Sequence, residues 1–434
     1  MIWLLFLLMV LYFFIAFVLT EFDLLSPWVL LSLMFILSIV FIIPNIWNWE
    51  IDLSIYTILT ITLGFFSFGF GEMNIRLISK QNSYDIKKNK NTKKWCPIII
   101  NKKILIFSII IMTIVTYYYY QQVLRFAYAA GYDKGTAFSF IRFARIATIS
   151  EIKNTVSTNK LLGQFVILSY SYSHLILYVL LYNIILCNFK KNIILHIFPI
   201  VIYLVQVILS GGRTGFLYIV SSSLIIGMIL HQIKFNWKKN IYYKYLILGF
   251  FIFPATLGVF FLLGSLTGKT SIFNFYETLS VYIGSSIVAL DNFLESGIRN
   301  NSKIFGGNTL FGIYDFLRRL GFDIPYLNKA AEFTKVGNFK TNIYTSYMRY
   351  IKDFTFFGLI IIEFFLGSLF SLIYLIIKRN GPSILILIYS IAFQVILEKP
   401  IEERFFMNLI SVGYIIRFFY IIVLYHLLVR INWE

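Results

Sequence analysis

Long apolar runs separated by short charged breaks set the rhythm of this chain. Runs of roughly 18 or more apolar residues are long enough to cross a bilayer as helices. Reading such runs between charges predicts eleven helices, at residues 2–20, 27–44, 53–71, 103–120, 161–186, 192–209, 214–231, 245–265, 354–377, 383–397 and 405–428. Splitting or merging neighbouring runs moves the count between ten and twelve. The expected architecture is an all-α polytopic membrane protein, one integral-membrane domain over residues 1–434.

Composition agrees with the pattern. Hydrophobic residues make up 59% of the chain and charged residues 13%, with a mean hydropathy of +0.79. A soluble domain has no interior large enough to hide that much apolar surface. The first run has no basic segment before it and no small-residue cleavage site after it, so it reads as a retained helix.

The net charge of +18 would suggest a nucleic-acid partner in a soluble protein. Here the lysines sit between spans, which is the topological bias of membrane proteins, and no nucleic acid is expected. The 72–102 loop holds Arg76, Lys80, Lys87, Lys88, Lys90, Lys93, Lys94 and Lys102. Lys190 and Lys191, then Lys234, Lys238, Lys239 and Lys244, then Lys378 and Arg379, then Arg430 fall on the same side when the spans alternate. That side is expected to be cytosolic, with the N-terminus outside. Cys96 and Cys187 both fall on it, so neither a disulfide nor a metal site is implied. The long loops 121–160 and 266–353 then face outward, and the second, close to ninety residues, is the expected seat of function.

The turn Ser210-Gly211-Gly212-Arg213-Thr214-Gly215 also faces outward on this topology. Its glycines allow a tight turn and close approach to a ligand, and Arg213 stands at the expected start of a helix, where N–H groups and the helix dipole favour an anion. A phosphate or diphosphate at the membrane surface suits that combination. An arginine snorkelling to the interface is the plain alternative.

A second cluster, residues 341–353, includes Asn342, Tyr344, Tyr347, Arg349 and Asp353. In a helix Arg349 and Asp353 project from one face, four residues apart. Asn, Tyr and Ser side chains donate and accept hydrogen bonds, as sugar hydroxyls require, although an interfacial aromatic belt accounts for the tyrosines equally well. Arg142 and Arg145 lie one turn apart in a short basic amphipathic pattern, suited either to a lipid surface or to a cleft for an anionic head group.

Outward carboxylates available as a general base are Asp291, Asp315, Asp323, Glu332, Asp353, Glu398, Glu402 and Glu403. No Asp-x-Asp pair appears, and His174, His196, His231 and His426 all map to spans or their cytosolic ends. P-loop, dinucleotide and HExxH motifs are missing, which excludes the enzyme classes built on them.

The chain resembles the Wzy-type oligosaccharide repeat-unit polymerases of O-antigen, capsule and common-antigen synthesis. The resemblance rests on residues 22–27, 209–214, 282–294 and 305–309, and on residues 341–345 running to Asp353, Phe354 and Gly358. It implies a GT-C-like, metal-independent membrane glycosyltransferase without a cofactor. Such an enzyme would transfer a growing glycan from undecaprenyl diphosphate onto a lipid-linked repeat unit, at the outer face of the bacterial cytoplasmic (inner) membrane.

Implied partners are the undecaprenyl-diphosphate-linked oligosaccharide, membrane lipids, a chain-length regulator and a flippase. The implied catalytic residues are Arg213 and, as base, Asp353. The resemblance implies anion binding by Arg213 and a substrate role for Asn342, Tyr344, Arg349 and Asp353; Arg142, Arg145, Tyr347 and Arg404 are further candidate substrate contacts. The chain departs from the Arg-x15-Gly spacing of some members, since no arginine in 121–160 is followed by glycine sixteen residues on. A flippase or exporter and a ligase-like transferase are the alternatives, and the lack of an outward histidine weighs against the ligase.

Overall fold

The computed structural model describes residues 1–81, 95–133, 138–150, 156, 158–238, 242–266, 275–297 and 304–430. Of the basic residues used for topology, Lys87, Lys88, Lys90, Lys93, Lys94 and Lys239 lie outside the described residues. In chain order the helices are α1 (Ile2–Leu19), α2 (Pro27–Ile42), α3 (Ile55–Gln81), α4 (Lys102–Ala129), α5 (Ser139–Ile149), α6 (Lys160–Cys187), α7 (Ile193–Leu209), α8 (Thr214–Lys234) and α9 (Tyr242–Leu266). Three short helices follow, α10 (Phe275–Ile283), α11 (Ser285–Glu295) and α12 (Phe311–Arg319), then α13 (Ser346–Asn380), α14 (Ile384–Ala392), α15 (Gln394–Leu397) and α16 (Val412–Tyr425). An antiparallel hairpin, β1 (Thr334–Val336) and β2 (Phe339–Thr341), interrupts the helical pattern just before α13.

Nine helices among the described residues are long and apolar enough to cross a membrane, and the chain is a multi-pass, all-α membrane protein. The runs at 192–209 and 383–397 form shorter helices, the second broken after Ala392 into α14 and α15. α3 and α4 run past their expected ends at 71 and 120 to Gln81 and Ala129, and α13 starts at Ser346 and not at 354. Its backbone breaks at Thr355, with φ 61° and ψ −168°. Residues 346–351 before the break are buried, whereas Thr355, Phe356 and Phe357 are exposed. Ser-Tyr-Met-Arg-Tyr-Ile is too polar to register as a span, and it is helical because protein surrounds it.

The chain divides into two compact units, one of Met1–Lys93, Asn274–Gly381 and Ala392–Ile415, the other of Lys94–Phe273, Pro382–Ile391 and Ile416–Glu434. In the first, α3 packs along α13. Lipid tails are as apolar as leucine, so helices in a bilayer associate through close backbone approach and internal polar contacts. Glycines supply the approach. A β-carbon on Gly71 would lie 2.1 Å from the Phe364 carbonyl oxygen, and one on Gly367 would lie 2.0 Å from that of Phe68.

Polar contacts lock the same helices. Glu72 of α3 accepts the Trp28 N–H (2.9 Å) and the Ser26 hydroxyl (2.6 Å), so its carboxylate caps α2, with Pro27 at the first helical position. Arg76, one turn on, binds Glu72 at 2.7 Å and lies 3.7 Å from Asp23. Asp23, in the α1–α2 connection, accepts from Lys378 (3.0 Å) and Tyr374 (2.9 Å) of α13. Burial alone would raise the Asp23 carboxyl, but the charges of Lys378 and Arg76 and the hydrogen bonds from Lys378 and Tyr374 hold it below its ordinary value. Asp291 of α11 performs the matching task at the other end of α3, accepting from the Ser54 N–H (2.9 Å) and hydroxyl (2.7 Å) and from the Thr57 hydroxyl (2.6 Å).

In the second unit α4 packs with α5 and α7, and α6 with α7 and α8. The amphipathic pattern at 139–149 forms a helix, and Phe140, Ile141, Ala144 and Ala147 bury their side chains with Val123, Phe126 and Ala127 of α4 and Leu209 of α7. Its apolar face is therefore spent on protein. Arg142 is on its exposed side.

Two stability tests follow from this packing. Gly367→Ala should lower the unfolding temperature in detergent by an amount equivalent to about 1–3 kcal/mol. Gly249→Ala in α9, where a β-carbon meets nothing within 4 Å, should not lower it. Equal unfolding temperatures for the two variants would show that the α3–α13 contact is not limiting.

For Asp23→Asn, which removes one partner of a buried ionic cluster, the expected loss at neutral pH is about 3 kcal/mol. A carboxyl whose pKa is depressed by folding stabilises above its unfolded pKa and stops doing so as pH falls through the folded value. Thermal scans should thus show the gap between wild type and Asp23→Asn closing in acid. A gap independent of pH would contradict the assignment.

Candidate functional site

The turn that joins α7 to α8 shapes a pocket inside the second unit. Gly211 adopts φ +66°, the left-handed region that glycine enters without steric cost. The Ser210 hydroxyl accepts the Gly212 N–H at 3.2 Å and closes the turn. A β-carbon on Gly215 would lie 2.7 Å from Val207, so that glycine lets α7 and α8 meet closely. One placed on Gly211 would lie 3.7 Å from the Arg145 side chain, which brings α5 to the back of the turn.

The pocket has a volume of about 210 Å³. Its walls are Tyr119 of α4, Tyr170 of α6, Tyr203 and Gln206 of α7, the turn residues Ser210 and Gly212, Thr214, Gly215 and Tyr218 of α8, and Arg417 of α16. Val166, Ile167 and Val207 complete the walls, so hydroxyls and one amide stand in a largely apolar lining. Gln206 donates to the Thr116 hydroxyl at 2.9 Å, while its buried carbonyl oxygen has no hydrogen-bond partner among the described residues.

Arg213, the charge that marks the turn in the sequence, is not in this lining. It is 3% exposed, stands immediately before α8 without a side-chain cap, and lays its guanidinium 4.3 Å from the centre of the Phe260 ring, beside Gly264. Such a contact stabilises by about 0.5–2 kcal/mol and fixes the turn against α9. The guanidinium that lines the pocket is that of Arg417, 4.3 Å from the centre of the Tyr170 ring. Tyr170 in turn stacks on His174, with centroids 4.0 Å apart.

Arg417 escaped the sequence reading because it stands alone in an apolar run, without a glycine or polar neighbour to mark it. Rarity was the available signal: an arginine inside a span is costly and is functional by default. The pocket therefore combines a planar cation on an aromatic platform with the first N–H groups of α8, those of Thr214 and Gly215, which an α-helix leaves without intrahelical acceptors. That combination can hold an anion. Pockets enclosing a whole ligand usually exceed about 300 Å³, so this one suits a head group or a single ring.

The residues predicted at 341–353, with Arg404, belong to the first unit, where the protein's own backbone and side chains engage them. Asp353 accepts the Asn308 side-chain amide at 2.7 Å and the Thr309 N–H at 2.6 Å, so both carboxylate oxygens hold the 306–309 turn. Arg349 donates to the carbonyls of Asn308 (3.0 Å) and Lys329 (2.8 Å), and the Thr309 hydroxyl donates to the Arg349 carbonyl at 2.9 Å. The i, i+4 pair thus does share a face, and the face is a clamp. Gly306 at its centre has φ +65°, and a β-carbon there would lie 2.7 Å from Phe354.

Arg404 is paired with Glu398 and with Glu402, the latter at 3.0 Å. Tyr347 is fully buried, stacked on Phe35 with centroids 5.5 Å apart and pressed on Gly64 of α3, far from the sugar contact expected of it. Tyr344 donates to the Glu332 carbonyl at 3.1 Å; burial, and then the Glu332 charge, raise its phenol above the ordinary value. Asn342 is half-buried in the connection between β2 and α13.

Sequence reasoning also missed Lys329, which donates to Asn408 at 3.1 Å. Although the residue is exposed, desolvation of its ammonium lowers its pKa; the Arg404 and Arg349 charges add to that, against the pull of Glu402. Glu403, buried, accepts the N–H groups of Phe405, Phe406 and Met407 and the Tyr350 hydroxyl. Burial pushes its carboxyl up despite those donors. Of the predicted outward carboxylates, Asp291, Asp353 and Glu403 are therefore occupied as helix or turn caps.

Comparison with protein-family models, with curated proteins and with solved structures finds no match to this chain. Among the described residues no cluster of His, Cys, Asp and Glu is arranged to hold a metal ion.

The clamp can be tested by limited proteolysis. Asp353→Ala removes an acceptor from two donors, a loss of about 1–3 kcal/mol, and should expose residues 304–310 to cleavage at low protease concentration. Cleavage at the wild-type rate would show that the turn holds without it.

Proposed function

We propose that this chain is a membrane glycosyltransferase that polymerises lipid-linked oligosaccharides, taking the growing glycan from a polyprenyl diphosphate onto the next lipid-linked repeat unit. The observation that carries the reading is the small pocket that Arg417 and the start of α8, at Thr214 and Gly215, line together. The resemblance of residues 209–214 and 341–358 to the Wzy-type polymerases supports it independently of that geometry.

On this reading the pocket takes the diphosphate. As the glycosidic C–O bond breaks, negative charge grows on the leaving diphosphate, and fixed donors at that point stabilise the transition state more than the ground state. Arg417 supplies the planar cation, and Thr214 and Gly215 supply backbone N–H groups. Arg213 acts as a positioning residue that ties the turn to α9 through Phe260, and Arg145 braces it from behind. The attacking sugar hydroxyl also needs a base to take its proton as the new C–O bond forms.

In a strain lacking the chain, complementation with Arg417→Ala should leave single repeat units at the surface and no polymer, at a normal level of membrane protein. Arg417→Lys should restore part of the ladder, because a lysine cannot bind two phosphate oxygens in one plane. Losing one charge-assisted contact of about 2 kcal/mol corresponds to roughly 30-fold weaker binding of the lipid diphosphate. A normal ladder from Arg417→Ala would sink the assignment. Loss of every surface repeat unit in the deletion strain would identify a flippase instead.

A further inference from the structure

The connection between α11 and α13, in the first unit, exposes large apolar side chains that no membrane span accounts for. Leu320 is 61% exposed, Phe322 59% and Tyr326 81%. Phe305, 76% exposed, packs against Phe354 with tilted rings and centroids 5.0 Å apart. Directly after Phe354, at the Thr355 break, α13 begins to expose apolar side chains of its own, Phe357 at 69% and Ile361 at 50%, one turn apart. At Phe305 the loop's exposed apolar surface thus meets that of a membrane helix.

The loop is held firmly from beneath. A β-carbon on Gly312 would lie 2.3 Å from the Phe406 carbonyl oxygen, so α12 rests directly on the 405–409 turn. The Arg349–Asp353 clamp fixes the other end of the segment. Basic groups flank the aromatics. Arg318 lies over the Tyr326 ring at 5.6 Å, Arg318 and Arg319 share the carboxylate of Asp315, and with Asp323 the segment is electrically neutral. Aromatic side chains with a polar edge, flanked by arginines that can reach upward, fit the headgroup level of a bilayer.

We propose that residues 305–326 form an interfacial anchor, seating Leu320, Phe322 and Tyr326 among the lipid headgroups beside α13, with Arg318 and Arg319 at the headgroup level. A protein partner would need a surface that follows both the loop and the lipid-facing side of α13. The bilayer already has that shape. The anchor holds whether or not the chain is a polymerase.

The test uses the full chain with Cys96→Ser and Cys187→Ser, carrying Phe322→Cys, Tyr326→Cys or, as a water-exposed reference in the β1–β2 turn, Asn338→Cys. Each is spin-labelled and reconstituted in vesicles of phosphatidylcholine, with and without phosphatidylglycerol. Labels at 322 and 326 should collide more with oxygen than with a water-soluble nickel chelate, the label at 338 the reverse. Phosphatidylglycerol should leave the depth of the first two unchanged, as expected of a segment without net charge. Nickel accessibility at 322 and 326 equal to that at 338, in samples whose unfolding temperature matches wild type, would overturn the anchor. Protection from both reagents in native membranes with full nickel access in pure vesicles would overturn it in favour of a protein partner.

Discussion

The approach of α3 and α13 at Gly71 and Gly367 is the contact on which the first unit depends. In a bilayer there is no solvent to expel, so two apolar helices gain little by touching unless their backbones come close enough for polar groups to reach across. Once they do, Glu72, Arg76, Asp23, Tyr374 and Lys378 close an ionic network at one end, and Asp291 caps the start of α3 at the other. The buried pair of Lys399 and Glu363 belongs to the same logic, with the Lys399 carbonyl also accepting the first N–H of α13. Each of these charges would be expensive alone, and each is bought back by a partner that the glycine contact places in range.

The second unit solves a different problem, how to keep polar groups in a pocket among apolar helices. Glycines at 211, 212 and 215 let α7 turn into α8 so tightly that side chains from α4, α6, α7 and α8 surround one space. The charges divide the labour. Arg213 is anchored on Phe260, whereas Arg417 lines the cavity over Tyr170. A motif and the chemistry it supports can therefore sit on different side chains, because the turn's contribution is backbone shape.

Much of the fold was legible in the residues themselves. The eleven apolar runs all form helices, since a stretch without polar side chains has no other way to satisfy its backbone in lipid. The Arg349–Asp353 spacing correctly placed two side chains on one face. What it lacked was the partner, the 306–309 turn roughly forty residues earlier, so a clamp looked like an open site. The α13 boundary was misplaced for a related reason: hydropathy measures compatibility with lipid, and residues 346–351 are buried in protein instead.

Hydropathy and charge by themselves determined that this is a multi-pass helical membrane protein, and roughly where each helix lies, because those outcomes depend on local transfer energies summed along a short window. Which carboxylates are spent as caps, which arginine lines the pocket, and where the long loop shows its aromatics were decided only by tertiary structure. Each of those depends on distances between residues far apart in sequence, and a burial or hydrogen bond has no local signature until its partner arrives.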